Sequence, residues 1–233
     1  MQLFYSPKIA NQQLHLSAEE SRHAIKVLRK GEGEILHLVD GKGGYYQVEI
    51  TVANHKKCEF RIVDKVEQSN PIPYELHIAI APTKNNDRIE WFIEKATEIG
   101  ITEITPILCD HSERKVINQE RLTKVLVSAM KQSGQAFLPK LNPLTKLGDL
   151  IKVQNMESKY IAHCEEQRQK KLNELYKKGS KSLILIGPEG DFSTNEIKLA
   201  LDNNFKPITL GNNRLRTETA GVFVCSTINL LES

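Results

Sequence analysis

No apolar run in this chain of 233 residues approaches the roughly 18 residues of a membrane-crossing helix. The opening MQLFYSPKIANQQ also lacks the basic stretch followed by an apolar one that marks an export signal. A cytoplasmic protein without a membrane anchor is the expectation. Cysteine is sparse and dispersed: Cys58, Cys109, Cys164 and Cys225 form no CxxC pair, and the seven histidines show no ligand spacing beside them. That excludes a disulfide framework and argues against a structural metal. A chain of this length buries roughly 70% of its unfolded surface and needs neither. Charge of one sign is missing too, since 32 basic residues face 29 acidic ones for a net +3. Total charge therefore does not announce a nucleic-acid partner, and local placement must carry that argument. With 26% charged and 39% hydrophobic residues, a disordered chain is excluded as well.

What is present divides in two. Residues 1–70 read as a small module in which one helical pattern precedes alternating runs at EILHLVD, YYQVEITV and KCEFRIVDKV. DGKGG at 40–44 leads into a strand and not a helix, so it reads as a hairpin turn and not a phosphate loop. The polar, proline-bearing QSNPIP at 68–73 places the boundary near Pro71. Residues 71–233 alternate strand-like and helix-like segments: ELHIAIA, a helix from Asp87 to about Ile99, ITEITPILC, a helix near Asn118–Ser133, a proline-bearing loop and a short helix. KYIAHC, a lysine-rich helix, SLILIG, a further helix, PITLG and a terminal helix complete the run. Such alternation predicts an α/β domain with a largely parallel sheet. Asp87 with Glu90, and Ser193 with Glu196, have capping-box spacing, and Gly100 is placed to stop the first of these helices.

Three clusters bear on chemistry. Ser17 and Glu20 have capping-box spacing ahead of a helix on which, at 100° per residue, Arg22, Lys26, Arg29 and Lys30 share one stripe opposite Ala24, Val27 and Leu28. With no acid among those positions the stripe is an uncompensated cationic surface, a candidate RNA contact; the alternative is a solvated helix face. LILIGPEGDFSTNEI at 183–197 reads as strand, turn and capped helix, with its glycines where ligands of open α/β sheets bind. It matches neither GxGxxG nor GxxxxGK[ST], so the dinucleotide and triphosphate cradles are not indicated. A plain strand-to-helix turn is the alternative. ITLGNNRLRTETAGVFV at 208–224 crowds Arg214, Arg216, Thr217, Glu218 and Thr219 into six positions. A helix start capped by Thr217 would explain the acid but not the two arginines.

Together LIGPEG, ITLG and LRTETA resemble the RsmE family of ribosomal RNA methyltransferases within the SPOUT superfamily. KVLRKGEGEILHLVDG is similar to that family's RNA-binding segment, and TKNNDRIEWFIEKATEIGITEITPILCDHSER to its first helix and following strand. The resemblance implies an α/β SPOUT methyltransferase domain with a trefoil knot, preceded by a small PUA-like β-barrel. It also implies a homodimer, S-adenosylmethionine as methyl donor without metal, and N3 of one uridine in bacterial 16S rRNA, free or within the small ribosomal subunit, as acceptor. Its cofactor loops map onto Leu185, Gly187, Glu189, Gly190, Leu210, Gly211, Leu215, Arg216, Thr217 and Glu218. Departures from the family pattern fall at Asp191 (usually glycine), Asn213 (commonly arginine), Arg214 (usually aliphatic), Lys131 (usually glutamate) and Gln135 (usually arginine).

Uracil N3 carries a weakly acidic proton, so a base must remove it or a cation must stabilise the resulting anion. Arg216 is the expected anion stabiliser, with Glu218 orienting it or relaying the proton. The cationic stripe would supply backbone affinity while the base is unstacked. Two readings compete with this one: a SPOUT methyltransferase acting on a ribose 2′-hydroxyl or another base, and a noncatalytic RNA-binding assembly protein that retains the loops as structure.

Overall fold

The computed structural model describes residues 2–67, 72–153, 156–164 and 169–233. The segment expected to hold the domain boundary, residues 68–71, lies outside them. Contacts divide the chain into two units, one of residues 1–71 with Val127–Leu138, the other of Ile72–Leu126 with Pro139–Ser233.

In the first unit, β1 (Leu3–Tyr5), β2 (Ile35–Val39), β3 (Gly44–Val52) and β4 (Glu59–Glu67) form a sheet in chain order. β1 runs parallel to β2, and the other pairs are antiparallel. The alternation in YYQVEITV puts Tyr46, Val48 and Ile50 inward, against Phe4, Leu16, Leu36, Leu38 and Phe60. DGKGG is the β2–β3 hairpin turn, as expected. Asp40 braces it, accepting from the Lys42 and Gly44 amides at 2.7 and 2.9 Å.

Helix α1 (Ala18–Arg22) begins at Ser17, whose hydroxyl accepts from the Glu20 amide at 3.2 Å. Only half of the expected capping box forms there. The Glu20 carboxylate turns instead to the Lys131 ammonium, 2.5 Å away. That ion pair is largely buried, and it accounts for the lysine that departs from the family pattern at this position.

The cationic stripe also differs from a regular helix. After Arg22 the backbone widens into one π-helical turn, His23–Val27, with the Leu28 amide bonded to the His23 carbonyl. The 100° rule therefore fails beyond Arg22. Ala24 is buried and Ile25 packs on the core, whereas Val27 and Leu28, expected on the inner face, are 64% and 37% exposed. Lys30 is not uncompensated either, since it pairs with Glu34 at 2.7 Å. Arg22, Lys26 and Arg29 remain exposed.

The second unit follows the predicted alternation closely. It contains β5 (Glu75–Ile80), α2 (Asn86–Ile99), β6 (Glu103–Leu108) and α3 (Gln119–Gln132), whose C-terminal half falls in the first unit. Next come β7 (Lys140–Leu141), β8 (Thr145–Lys146), α4 (Leu147–Val153), β9 (Ser158–Ala162) and β10 (Lys170–Lys171). The unit ends with α5 (Leu172–Leu175), β11 (Lys181–Ile186), α6 (Thr194–Asp202), β12 (Lys206–Thr209) and α7 (Thr217–Glu232). The expected lysine-rich helix is thus reduced to the single turn of α5.

Every pairing in this sheet is parallel, in the order β10-β12-β9-β11-β5-β6-β7, with β8 also on β6. β5 and β11 are buried along nearly their whole length, which is why they read as continuous apolar runs. The Ser193–Glu196 capping box is complete. At α2 the cap lies two residues before the expected Asp87: Asn85 accepts from the Asp87 amide at 3.0 Å, and Glu90 faces Arg121. Gly100 ends that helix at φ +123°, where a side chain would be strained.

Candidate active site

Parallel strands deliver their following loops to one end of the sheet, and adjacent β12, β9 and β11 do so here. A cavity of about 810 Å³ lies among those loops, within the size range of small-molecule sites. Ile186, Ile208, Leu210, Leu215 and Ala220 supply apolar wall, while Glu189, Asp191, Arg214 and Arg216 supply charge.

Two loops build it. The first, Gly187–Asp191, turns back through a bond from the Asp191 amide to the Pro188 carbonyl at 2.9 Å. Asp191 sits at φ +62°, a left-handed position that suits the glycine usual in the family. Its carboxylate accepts from the Cys164 amide at 2.8 Å and joins this loop to the one after β9. Burial, then the neighbouring Asp191 charge, raises the Cys164 thiol above its ordinary pKa, so no reactive thiolate lines the cavity. The second loop follows β12. Gly211 lies at φ +132°, and nothing comes within 4 Å of where a side chain would start, so bare backbone faces open space.

LRTETA joins the loops. Arg216 occupies the N-cap position of α7 and its side chain is exposed on the cavity wall. Thr217 is not the cap; it is the first helical residue, buried, and its hydroxyl donates to the Gly187 carbonyl at 3.1 Å. Arg214 donates to the Glu189 carbonyl at 3.2 Å.

Of the residues expected to hold a cofactor, Gly187, Glu189, Leu210, Gly211, Leu215, Arg216 and Thr217 line this one cavity. Three sit elsewhere. Leu185 is fully buried in the core with Ala79, Ile161 and Phe192. Gly190 faces the His111 ring, which a Cβ there would meet at 3.2 Å. Glu218 is buried behind the cavity, and its ion pair is with Arg88 of α2, Nε to Oε1 3.7 Å, and not with Arg216. Its Oε2 has no partner among the described residues. Arg88 is the residue the sequence reading missed; its charge in the first turn of α2 looks like any helix surface.

In the first unit Arg22 and Lys26 converge with Lys56 around His55. The imidazole is held below its ordinary pKa first by desolvation and then by Lys26, Lys56 and Arg22. A concentrated positive field exists on that surface. Among the described residues no group of three or more His, Cys, Asp or Glu is placed to hold a metal ion, and no helix is long and apolar enough to cross a membrane.

A strand-end cavity with bare glycine backbone and two arginines has the form of a small-molecule site, and the first unit of the same chain carries a local cationic surface. The comparisons make this specific. A family model described as an RNA methyltransferase domain matches residues 70–229, and one described as an RNA methyltransferase PUA domain matches residues 16–63. The chain belongs to the RNA methyltransferase family with an N-terminal PUA domain.

Among its relatives, the ribosomal RNA small subunit methyltransferase E of Rickettsia conorii is 29% identical over 229 residues, covering 96% of this chain and 92% of that protein. A solved structure from Porphyromonas gingivalis, described as a "probable rRNA-methyltransferase", is 39% identical with a TM-score of 0.93, covering 100% of this chain and 98% of the other. The ribosomal RNA small subunit methyltransferase E of Neisseria gonorrhoeae, solved with S-adenosylmethionine bound, is 25% identical with a TM-score of 0.86 over 99% and 98% of the two chains.

Proposed function

We propose that this protein methylates N3 of a uridine in the 16S rRNA of the bacterial small ribosomal subunit, taking the methyl group from S-adenosylmethionine, and that it works as a cytoplasmic homodimer. The observation that carries the reading is the cavity at the ends of β9, β11 and β12, on which seven of the ten expected cofactor residues converge. The cavity suits that cofactor. Its apolar wall matches an adenine, and Gly211, whose amide and carbonyl are held by the Thr209 hydroxyl at 3.3 and 3.0 Å, leaves open space on its Cβ side for a flat ring to approach the backbone. The relatives' names, and the cofactor bound in the N. gonorrhoeae enzyme, agree with it. The knot expected of the C-terminal segment belongs to the same reading.

When bound, the cofactor supplies an electrophilic methyl group on a sulfonium. Gly187, Leu210, Gly211 and Leu215 would hold it so that its methyl group could pass to N3 as the sulfur–methyl bond broke, the N3 proton going to solvent or a base. Positioning dominates a reaction of this kind. Arg216, exposed at the wall, presents its guanidinium to the anion that spreads over the two uracil oxygens. Glu218, buried and paired with Arg88, acts from behind the wall and not on Arg216 directly. The basic surface of Arg22, Lys26 and Arg29 holds RNA backbone while the base is exposed, whereas Lys30 is engaged by Glu34.

The test is methyl transfer to small-subunit RNA followed by nucleoside mass spectrometry. N3-methyluridine is expected; a ribose-methylated nucleoside would move the reaction to the 2′-hydroxyl, and cofactor binding without product would leave an RNA-binding protein. Arg216→Ala and Arg216→Lys should lower the single-turnover rate at saturating cofactor on the order of 10²-fold or more. A loss confined to cofactor affinity would make Arg216 a binding residue instead.

A further inference from the structure

Arg114 lies in DHSER after β6, outside the cavity, yet its guanidinium makes three hydrogen bonds to one loop beside it. Its Nε donates to the Thr83 carbonyl at 3.1 Å and the Lys84 carbonyl at 3.2 Å, and its Nη2 to the Lys84 carbonyl at 2.5 Å. A planar fork laid across two successive carbonyls fixes the direction of a peptide chain in a way one point charge cannot. The nearby Lys84–Glu113 pair, 3.0 Å long and largely exposed, adds little.

The clamped loop leads to the site in two directions. The Lys84 amide donates to Glu189 Oε1 at 3.2 Å, and the same Glu189 offers its carbonyl to Arg214 across the cavity wall. The Thr83 hydroxyl donates to the Asn85 carbonyl at 2.7 Å, and the Asn85 side chain caps α2. One turn further along α2, Arg88 stands 3.7 Å from the buried Glu218 carboxylate.

We propose that Arg114 is a positioning residue for methyl transfer: by fixing the Thr83–Asn85 loop it sets both the Glu189 side of the cavity and the Arg88–Glu218 pair behind it. The proposal rests on the methyltransferase reading. A misplacement of about 1 Å in such an arrangement costs roughly 10²-fold in rate.

The test compares Arg114→Ala and Arg114→Lys with the unmodified protein. Three quantities are read: single-turnover methylation of small-subunit RNA at saturating S-adenosylmethionine, calorimetric affinity for its demethylated product, and amide exchange at Lys84. Both variants should lose roughly 10²-fold in rate, since lysine keeps the charge without the fork. Lys84 exchange should speed up by tenfold or more. Melting should shift by only a few degrees, because water can replace the guanidinium on surface carbonyls; if Arg114→Ala melts much lower, Arg114→Lys carries the comparison. Combined with Glu189→Ala, Arg114→Ala should slow the reaction no further than the slower single change, as expected of two members of one chain of contacts. Unchanged rate at saturation, unchanged Lys84 exchange, or additive losses would overturn the role. Absence of methylation by the unmodified protein would instead defeat the methyltransferase reading, and Lys84 exchange with product affinity would still decide whether the clamp exists.

Discussion

Thr217→Val isolates the bond that joins the two cavity loops. Valine keeps the shape of threonine, so packing around this buried position is preserved and the change removes one hydroxyl. That hydroxyl donates to the Gly187 carbonyl at 3.1 Å, and Gly187 is itself buried. Losing a neutral hydrogen bond costs about 1 kcal/mol net, and leaving a buried carbonyl unsatisfied brings the total to about 1–3 kcal/mol. For a chain of this size that is roughly 2–12 °C in melting temperature. If the loop must be re-formed on binding, the same free energy is taken from affinity, a ceiling of roughly five- to 150-fold. Calorimetry with S-adenosylmethionine and its demethylated product, beside thermal unfolding, measures both. Thr217→Ser retains the donor and should remain close to the unmodified protein. A Thr217→Val protein with unchanged stability and unchanged affinity would show that the bond joins nothing of consequence.

Three other outcomes are expected. Gly221→Ala should destabilise by about 1–3 kcal/mol in denaturant unfolding despite alanine's better helix propensity, because its Cβ would stand 2.5 Å from the fully buried Phe92 ring; an unchanged midpoint would mean α7 and α2 shift apart freely. Replacing Arg22, Lys26 and Arg29 with alanine should lower the slope of log affinity against log salt for RNA by roughly 2–3, with cofactor affinity unmoved; a retained slope would make them ordinary solvated charges. His77 is buried, which holds its imidazole below the ordinary pKa near 6.5. The unfolded chain therefore binds the proton more readily, and this contribution to stability is complete above pH 6.5 and lost as pH falls toward the folded value. Unfolding midpoints measured across that range should fall on acidification, and a His77→Phe protein should lack that component of the fall.

β5 and β11 were legible because each is apolar over nearly its full length, with SLILIG running straight into GPEG, whereas the two-residue strands β7, β8 and β10 carry no such run and were not foreseen. The cavity loops were legible for a related reason: LRTETA has more charge than a helix start requires. What could not be read were partners far apart in sequence. Glu20 looked like the far end of a capping box because Ser17 is three residues away, while Lys131, its actual partner, is 111 residues away. Val27 and Leu28 looked internal because periodicity assumes a regular helix, and nothing local announces the π turn that points them outward. Glu218 was matched to Arg216, its neighbour in the chain, when the fold supplies Arg88.

The first unit takes Val127–Leu138 from the middle of the chain, and this limits how the protein can be taken apart. Met130 and Ala136 complete a buried cluster with Leu3 and Val39, and Lys131 neutralises Glu20. A fragment ended after β4 would keep its whole sheet but expose the apolar side of that cluster and strand a carboxylate in a largely dry pocket, a defect that costs several kcal/mol where one partner of such a pair is removed. The RNA-binding module is therefore not a portable cassette. Transplanting it to another enzyme requires the distant helix end to travel with it, by a designed insertion or by co-expression of the missing piece.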